Sequence, residues 1–377
     1  MPCSSYQLML DGQAAEDDFY TQVSSLEVEE NLELPGAFQL QLPVSRTDTG
    51  ELSFINDIRL RPFAPLSVVA TVQGKPTECI FDGFVLSHKL HLQTGTTSSS
   101  LEVWGQDASW LMNLEEKVKE WVDVTDSDVA NSIFGDYGFQ PADENTADDS
   151  PSHTESGHTL MQRGSDIQFL RTLGKRTGKL VRVVCGDKPG KRTGFFAKPN
   201  LDAPPAATLV LNDPEAWTVD ALDIEWDIMR PSVVKARQAL LNDDTPEGVA
   251  GDTDSSGLDP LDDRDLATFA DNPMTVLLTA PVDDAGELST RAQALLRDSG
   301  WFVRCHGEAD VARLNSVLRA GSVVELTGIG SVHSGKYLVW SVRHIITQDS
   351  HRMKFSLMRN AVGPEPSGAG GLLGGLP

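Results

Sequence analysis

Positive charge is scarce in this sequence. Its 31 lysines and arginines stand against 55 aspartates and glutamates, a formal charge of -24 over 377 residues. So negative a surface repels phosphate and lacks the broad basic face that tight binding of DNA or RNA needs, so nucleic acid is not expected as a ligand. Cysteine is also scarce. Cys3, Cys79, Cys185 and Cys305 lie far apart, with no CxxC pair and no clustered framework. That is the pattern of reduced thiols in a protein made in the cytosol, without disulfides or structural zinc. The first dozen residues contain no basic stretch leading into an apolar one, and no apolar run approaches the roughly 20 residues of a membrane span. The sequence therefore predicts neither a Sec signal nor a membrane span.

What is present suits folding. Apolar residues make up 40% and charged residues 23%, too apolar overall for disorder. The length fits two or three domains.

The first hundred residues alternate as half-buried strands do. Phe38, Leu40 and Leu42 are separated by Gln39 and Gln41, and Leu66, Val68, Ala70 and Val72 share a face. Gly83 and Gly95 punctuate these runs, and residues 79–92 and 100–104 add further strands of an antiparallel barrel or curled sheet. After Trp104 the period changes. Asp107 opens a short helix over 108–114, and Thr125 with Asp128 makes a capping box ahead of Val129, Ile133 and Phe134, with a stop near Gly135 or Gly138. Residues 140–157 read as a long polar loop or poorly ordered insert. Ser165 and Gln168 form a second capping box, Ile167, Phe169, Leu170 and Leu173 an apolar face, and Gly178 a stop.

Strand signals then return. Leu222, Ile224, Trp226 and Ile228 alternate with Asp223, Glu225 and Asp227, an apolar face that requires a cover, and residues 232–239 could pair with this strand. An acidic excursion over 241–265 follows, then a helix over 289–298 stopped by Gly300. Strands are expected at 301–305, 322–327, 337–344 and 353–358. Residues 364–377 form a Gly-rich tail whose Leu372, Leu373 and Leu376 could dock on a partner.

No motif carries chemistry unambiguously. Gly330, Gly335 and Lys336 satisfy the GxxxxGK spacing of a phosphate loop, but Tyr337 stands where Ser or Thr belongs. The following residues, with Leu338, Trp340 and Val342 on one face, read as a strand rather than a helix, so a Gly-rich hairpin is expected. Asp252, Asp254, Ser256 and Gly257, with Asp263, imitate part of a calcium loop. Asp259 occupies the usually apolar eighth position and no amphipathic helix precedes Asp252, so the segment reads as a solvated acidic loop. His88 and His91, and His333, His344 and His351, lack convincing metal spacing within strands. No GxSxG elbow appears. Lys175, Arg176, Lys179, Arg182, Lys188, Lys191 and Arg192 form one basic stretch, read as a solvated helix end and hairpin or as a contact for an acidic partner. No catalytic, cofactor-binding or metal-binding residue is assigned, and no cofactor is expected.

The order of the pieces is more informative. Ser25–Glu30, Phe81–Val85 and Val103–Asp107 come first, and Asp126–Ala130, Tyr137, Gly138, Gln162 and Ser165–Leu170 ahead of Gly178 follow. Leu318–Val323, Gly328, Gly330, Ser334–Val339, Val342–His344 and Phe355–Asn360 close the chain. This succession resembles the phage late-control protein D family, baseplate hub proteins related to the hub part of type VI secretion spike proteins. The acidic inserts depart from that pattern, and no Val-Gly needle or lysozyme-like block is appended.

The resemblance implies a mainly β fold with an α+β middle region: two tube-like β-barrel domains joined by a small α+β domain and a helical insert, assembling as a trimeric ring. The expected divisions are a first barrel over 1–105, a middle domain over 106–206, and a second barrel over 207–362. This second barrel would hold the acidic loop 241–265 and the insert near 288–300, with a flexible tail over 363–377. The implied role is a non-enzymatic adaptor whose partners are its own copies, an inner tube protein, a spike protein and other baseplate proteins. It would be made in the cytoplasm and built into a phage tail or extracellular injection particle. The competing expectation is a cell-wall hydrolase carried in the same apparatus.

Overall fold

The computed structural model describes residues 4–94, 98–146, 151–186, 188–239 and 249–365. Its first part holds six long strands, β1 Ser4–Leu10, β2 Ser25–Asn31, β3 Ala37–Pro43, β4 Pro65–Val72, β5 Glu78–His91 and β6 Ser100–Asp107, with a two-residue strand, Gln13–Ala14, and a short helix, Asp17–Gln22, after β1. The period of two does what the pattern requires. Phe38, Leu40 and Leu42 on β3, and Leu66, Val68, Ala70 and Val72 on β4, all turn into one buried core. Gly105 permits the close approach of β6 to β5, since a Cβ there would lie 2.0 Å from the Phe84 carbonyl oxygen. Gly95 lies outside the described residues.

In the middle part Asp107 Oδ1 accepts from Ser109 N at 2.9 Å and starts the expected short helical stretch, a 3₁₀ helix over Ala108–Asn113. Next come β7 Glu116–Trp121, α1 Asp126–Asp136, β8 Leu160–Ser165, α2 Asp166–Thr177, β9 Leu180–Cys185 and β10 Arg192–Ala197. The Thr125–Asp128 capping box forms. The second predicted box does not: Ser165 Oγ donates to Asn113 Oδ1 at 2.7 Å, anchoring the preceding turn instead of capping α2. Met112, Ile133, Phe134, Leu170, Leu173 and Phe196 make this part's own core.

The segment expected to be a long polar loop or poorly ordered insert is mostly exposed where it is described, but it is anchored by buried residues. Asn145 is fully buried, donating to the Gly194 carbonyl at 2.9 Å and accepting from Phe196 N at 2.8 Å, and His153 is buried too. Residues 147–150 lie outside the described residues. Gly178 ends α2 in the left-handed region, at φ 64°, where any Cβ would also press on Ala294 and Arg297.

The last part holds β11 Val219–Trp226, β12 Val233–Gln238, β13 Thr275–Leu278, α3 Ala285–Ser299 and β14 Val303–Asp310. Three more strands close it, β15 Val323–Thr327, β16 Gly335–Ile346 and β17 His351–Arg359. The expected pairing of 232–239 with β11 is wrong. Instead β12 pairs in parallel with β13, and Val234 and Ala236 bury against Leu288, Ala292 and Leu296 of α3, so this small unit has its own core. Residues 240–248 of the acidic excursion and 366–377 of the tail lie outside the described residues.

One ladder joins the two ends of the chain. Leu26–Asn31 of β2 pair antiparallel with Ser341–Ile346 of β16, giving a 13-stranded sheet whose main path runs β11-β14-β17-β16-β2-β3-β6-β5-β4-β1. Among the described residues the path does not return on itself; beyond β1 it takes in a two-residue strand, Gln13–Ala14, paired with Met9 and Leu10, so this short strand and β11 are its two ends. The apolar face of β11 is covered only in part. Leu222 and Ile224 pack on the large core, whereas Trp226 is 52% exposed and Met229, just beyond the strand, 84%. No helix among the described residues is long and apolar enough to cross a membrane.

Candidate functional site

The segment Gly330–Lys336 is a turn between β15 and β16. Ser334 N donates to the Gly330 carbonyl at 2.9 Å, Lys336 sits opposite Glu325 in the ladder, and a strand rather than a helix follows. Because a strand follows, the loop does not lead into a helix N-terminus as a phosphate loop does. What organises it is Arg359. Fully buried, its guanidinium donates to the Val332 and His333 carbonyls at 3.3 Å, lies 5.1 Å from the Tyr337 ring centroid, and forms an ion pair with Asp262.

Arg359 also explains the acidic loop. Asp262 is spent on it, Asp259 offers its carbonyl to Asn360 Nδ2 at 3.0 Å, and Asp252 Oδ1 accepts from Ala236 N at 3.0 Å. The segment predicted to be a solvated loop is in its described part sewn to β12 and to the end of β17. Among the described residues its carboxylates do not converge as ligands.

Of the histidines, His88 and His91 are exposed at the end of β5. His344 and His351 meet across the β16–β17 hairpin, Nδ1 to Nε2 at 3.1 Å, both buried. Burial pushes both imidazoles down, His344 well below the ordinary value and His351 to about 4. They form a neutral core pair whose contact depends on strand register, which spacing alone does not reveal.

The most heavily charged point lies where β2 meets the middle part. Glu30 Oε1 accepts from Arg319 Nε at 2.6 Å and its Oε2 from Ala320 N at 3.2 Å, while Arg182 on β9 donates to the Ala320 carbonyl at 2.6 Å. Burial raises the Glu30 carboxyl, and Arg319 opposes the rise. Asp107 is pushed up to about 6 by burial, against hydrogen bonds from Ser109 and Gly36. The cavity lined by Glu30, Asp107, Arg171, Arg182, Cys185 and Arg319 measures about 40 Å³. That admits water and falls far below the several hundred Å³ of a ligand pocket.

The basic stretch is solvated only in part, with Lys175 exposed at the helix end. Arg192 Nε holds the buried Asp82 at 2.7 Å, Lys179 reaches Ser127 at 3.0 Å, Arg176 lies 3.6 Å from Glu287, and Arg182 joins the Glu30 cluster. Lys188 and Lys191 are exposed. Within the middle part, Asp166 accepts from Lys117 and Gln162 at 2.6 Å and from Tyr137 at 2.7 Å, and Gln162 in turn accepts from Trp121 at 3.1 Å. Although burial acts the other way, these donors hold the Asp166 carboxyl below the usual range. Most of these charges fix elements to one another, while Lys175, Arg176 and Lys179 also line, with Arg291, Trp301 and Trp340, a cleft of about 730 Å³.

No curated protein matches this chain by sequence. The model of one family, the Alg8 N-terminal domain, matches residues 2–348. The chain belongs to the Alg8 N-terminal domain family. Solved structures share the fold of this family member at low identity. A 43 kDa tail protein of prophage MuSo2 from Shewanella oneidensis is 13% identical, with a TM-score of 0.65 over 95% of this chain and 99% of that one. A tail protein from Neisseria meningitidis MC58 is also 13% identical, with a TM-score of 0.66 over 94% and 96% of the two chains. A component of the Escherichia coli type VI secretion system, described as structurally similar to the T4 bacteriophage tail proteins gp27 and gp5, gives 0.54 at 13% identity over 92% of this chain and 76% of its own. The fold of this Alg8 N-terminal domain member is thus that of tail proteins, mainly β with a few helices.

Proposed function

We propose that this chain is a structural, non-enzymatic baseplate hub of a contractile, phage-tail-like injection system. It would be a protein of the late-control D kind that acts as a trimeric adaptor between a sixfold inner tube and a threefold spike. The observation that carries this reading is the end-to-end likeness to a prophage tail protein, covering 95% of this chain and 99% of that one. The sheet supplies a physical reason for assembly. Its path ends on β11 at one side and, at the other, on the short strand Gln13–Ala14, which covers β1 only at Met9 and Leu10, and unpaired strand edges are stable in solution only when covered, charged or paired with another chain. Closing two tube-like barrels per chain against neighbouring subunits would cover both edges, and a ring satisfies each heterologous contact. The charge of -24 would make such a ring repel acidic cargo or DNA passing through it. Other baseplate proteins complete the set of partners, and the particle, built from subunits made in the cytoplasm, is the site of action.

The absence of turnover in this proposal is supported by where the shifted groups are spent. Glu30 serves Arg319 and Asp107 serves Gly36 and Ser109, beside a cavity of about 40 Å³. Purified protein incubated with bacterial cell wall should release no soluble fragments. Release that a single carboxylate substitution abolishes would replace the adaptor with the hydrolase reading.

A further inference from the structure

Two segments 125 residues apart in sequence meet at His158, Asp283 and Glu287. His158 belongs to the loop after His153, and its backbone is fixed by Thr154, whose Oγ1 accepts from Gly157 N and His158 N at 3.1 Å. Asp283 and Glu287 flank the start of α3. Asp284 caps that helix, accepting from Gly286 N at 2.7 Å and Glu287 N at 3.2 Å, so neither Asp283 nor Glu287 supplies the cap. His158 Nδ1 contacts Asp283 Oδ1 and lies 3.9 Å from Glu287 Oε2. The other Glu287 oxygen is held by Arg291 Nε at 3.0 Å, with Arg176 at 3.6 Å. The three side chains are only 10%, 24% and 12% exposed. His153 stacks on His158, centroids 4.4 Å apart and planes at 17°, with its Nε2 2.7 Å from Asp126 Oδ1. Buried His153 Nδ1 has no hydrogen-bond partner among the described residues.

We propose that His158, Asp283 and Glu287 bind a divalent transition-metal ion of the zinc class, clasping the middle part of the chain to the helical insert. One nitrogen and two carboxylate oxygens lie within 4.8 Å of one another. Donors around one tetrahedral zinc ion stand roughly 3.4 Å apart, so small side-chain adjustments close the set and leave a fourth position for water. The imidazole favours zinc-class ions over calcium and magnesium, which take oxygen ligands. Arg291 and the stacked His153 provide the outer contacts that orient Glu287 and the His158 ring. The cysteines play no part, and the site joins residues whose linear spacing suggests nothing.

Titration of chelator-treated full-length chain with zinc chloride by calorimetry should show one high-affinity equivalent. The thermal midpoint should rise by several degrees at a zinc concentration roughly a hundredfold above Kd. His158→Ala and Glu287→Gln should each remove that equivalent and that shift, and the near-isosteric Glu287→Gln keeps the test valid if His158→Ala folds poorly. No stoichiometric binding, binding that persists in Glu287→Gln with unchanged affinity, or calcium bound as tightly as zinc would each overturn the proposal.

Discussion

Replacing Arg319 with alanine should destabilise the fold by about 3–5 kcal/mol, the cost of leaving a largely buried carboxylate without its cation. Arg319 reaches Glu30 at 2.6 Å, and its other end lies 3.6 Å from Glu78 on β5. Without the guanidinium, Glu30 is left with the Ala320 amide as its hydrogen-bond donor among the described residues, and its carboxyl, already raised by burial, is driven further towards its protonated form. The loss reaches beyond one pair, because Arg182 ties β9 to the same loop through the Ala320 carbonyl. Urea denaturation would measure it. The double variant Arg319→Met with Glu30→Gln should recover most of the loss, since removing both charges abolishes the uncompensated one. Equal destabilisation in the single and double variants would mean that side-chain packing, not charge pairing, holds this junction.

Acid should weaken the chain through the His344–His351 pair. Both imidazoles are neutral in the folded state and each has a pKa lowered by burial, His351 to about 4, against about 6.5 in the unfolded chain. The unfolded state therefore binds more protons across that window. The stability contributed by the pair is complete above about pH 6.5 and is lost as pH falls towards 4. For His351 alone the loss is about 1.4 kcal/mol per pH unit, or about 3 kcal/mol by pH 4. Asp107, pushed up to about 6, acts in the opposite sense, since its folded form takes up a proton first. A comparison of wild type with His351→Gln isolates the histidine. The variant's urea midpoint should fall less steeply between pH 6.5 and 4, and parallel profiles would show that the pair does not titrate in this range.

How much of this was readable from the sequence divides along physical lines. Strands with one wet face declare themselves by alternation, so β3, β4, β16 and β17 were legible from residues such as Phe38, Leu40, Val342 and Phe355. Helix boundaries set by local chemistry, Thr125 with Asp128 and the left-handed Gly178, were equally plain. Long-range choices were not. Residues 232–239 carry strand propensity, but only α3 and β13, distant in sequence, decide which sheet they join. Ser165 satisfies the rule for a cap, yet Asn113 outcompetes the helix amides for its hydroxyl. The basic stretch looked solvated because its acceptors, Asp82, Ser127, Ala320 and Glu287, are scattered over the chain. The same holds for His158, Asp283 and Glu287, which no spacing rule could assemble. One signal was available and undervalued: Arg359 and Asn360 close the last long strand among apolar neighbours, where a cation needs a buried acceptor, and Asp262 supplies it.

The central claim is that these strands and ion pairs build a ring subunit, and the solution mass tests it most directly. Multi-angle light scattering on the purified chain should give three times the 40.9 kDa of one chain, and with the proposed spike protein present that mass plus the mass of the bound spike. A stable monomer under both conditions would contradict the account, because β11 and the edge of β1 before Met9 would then remain uncovered and no threefold adaptor could form.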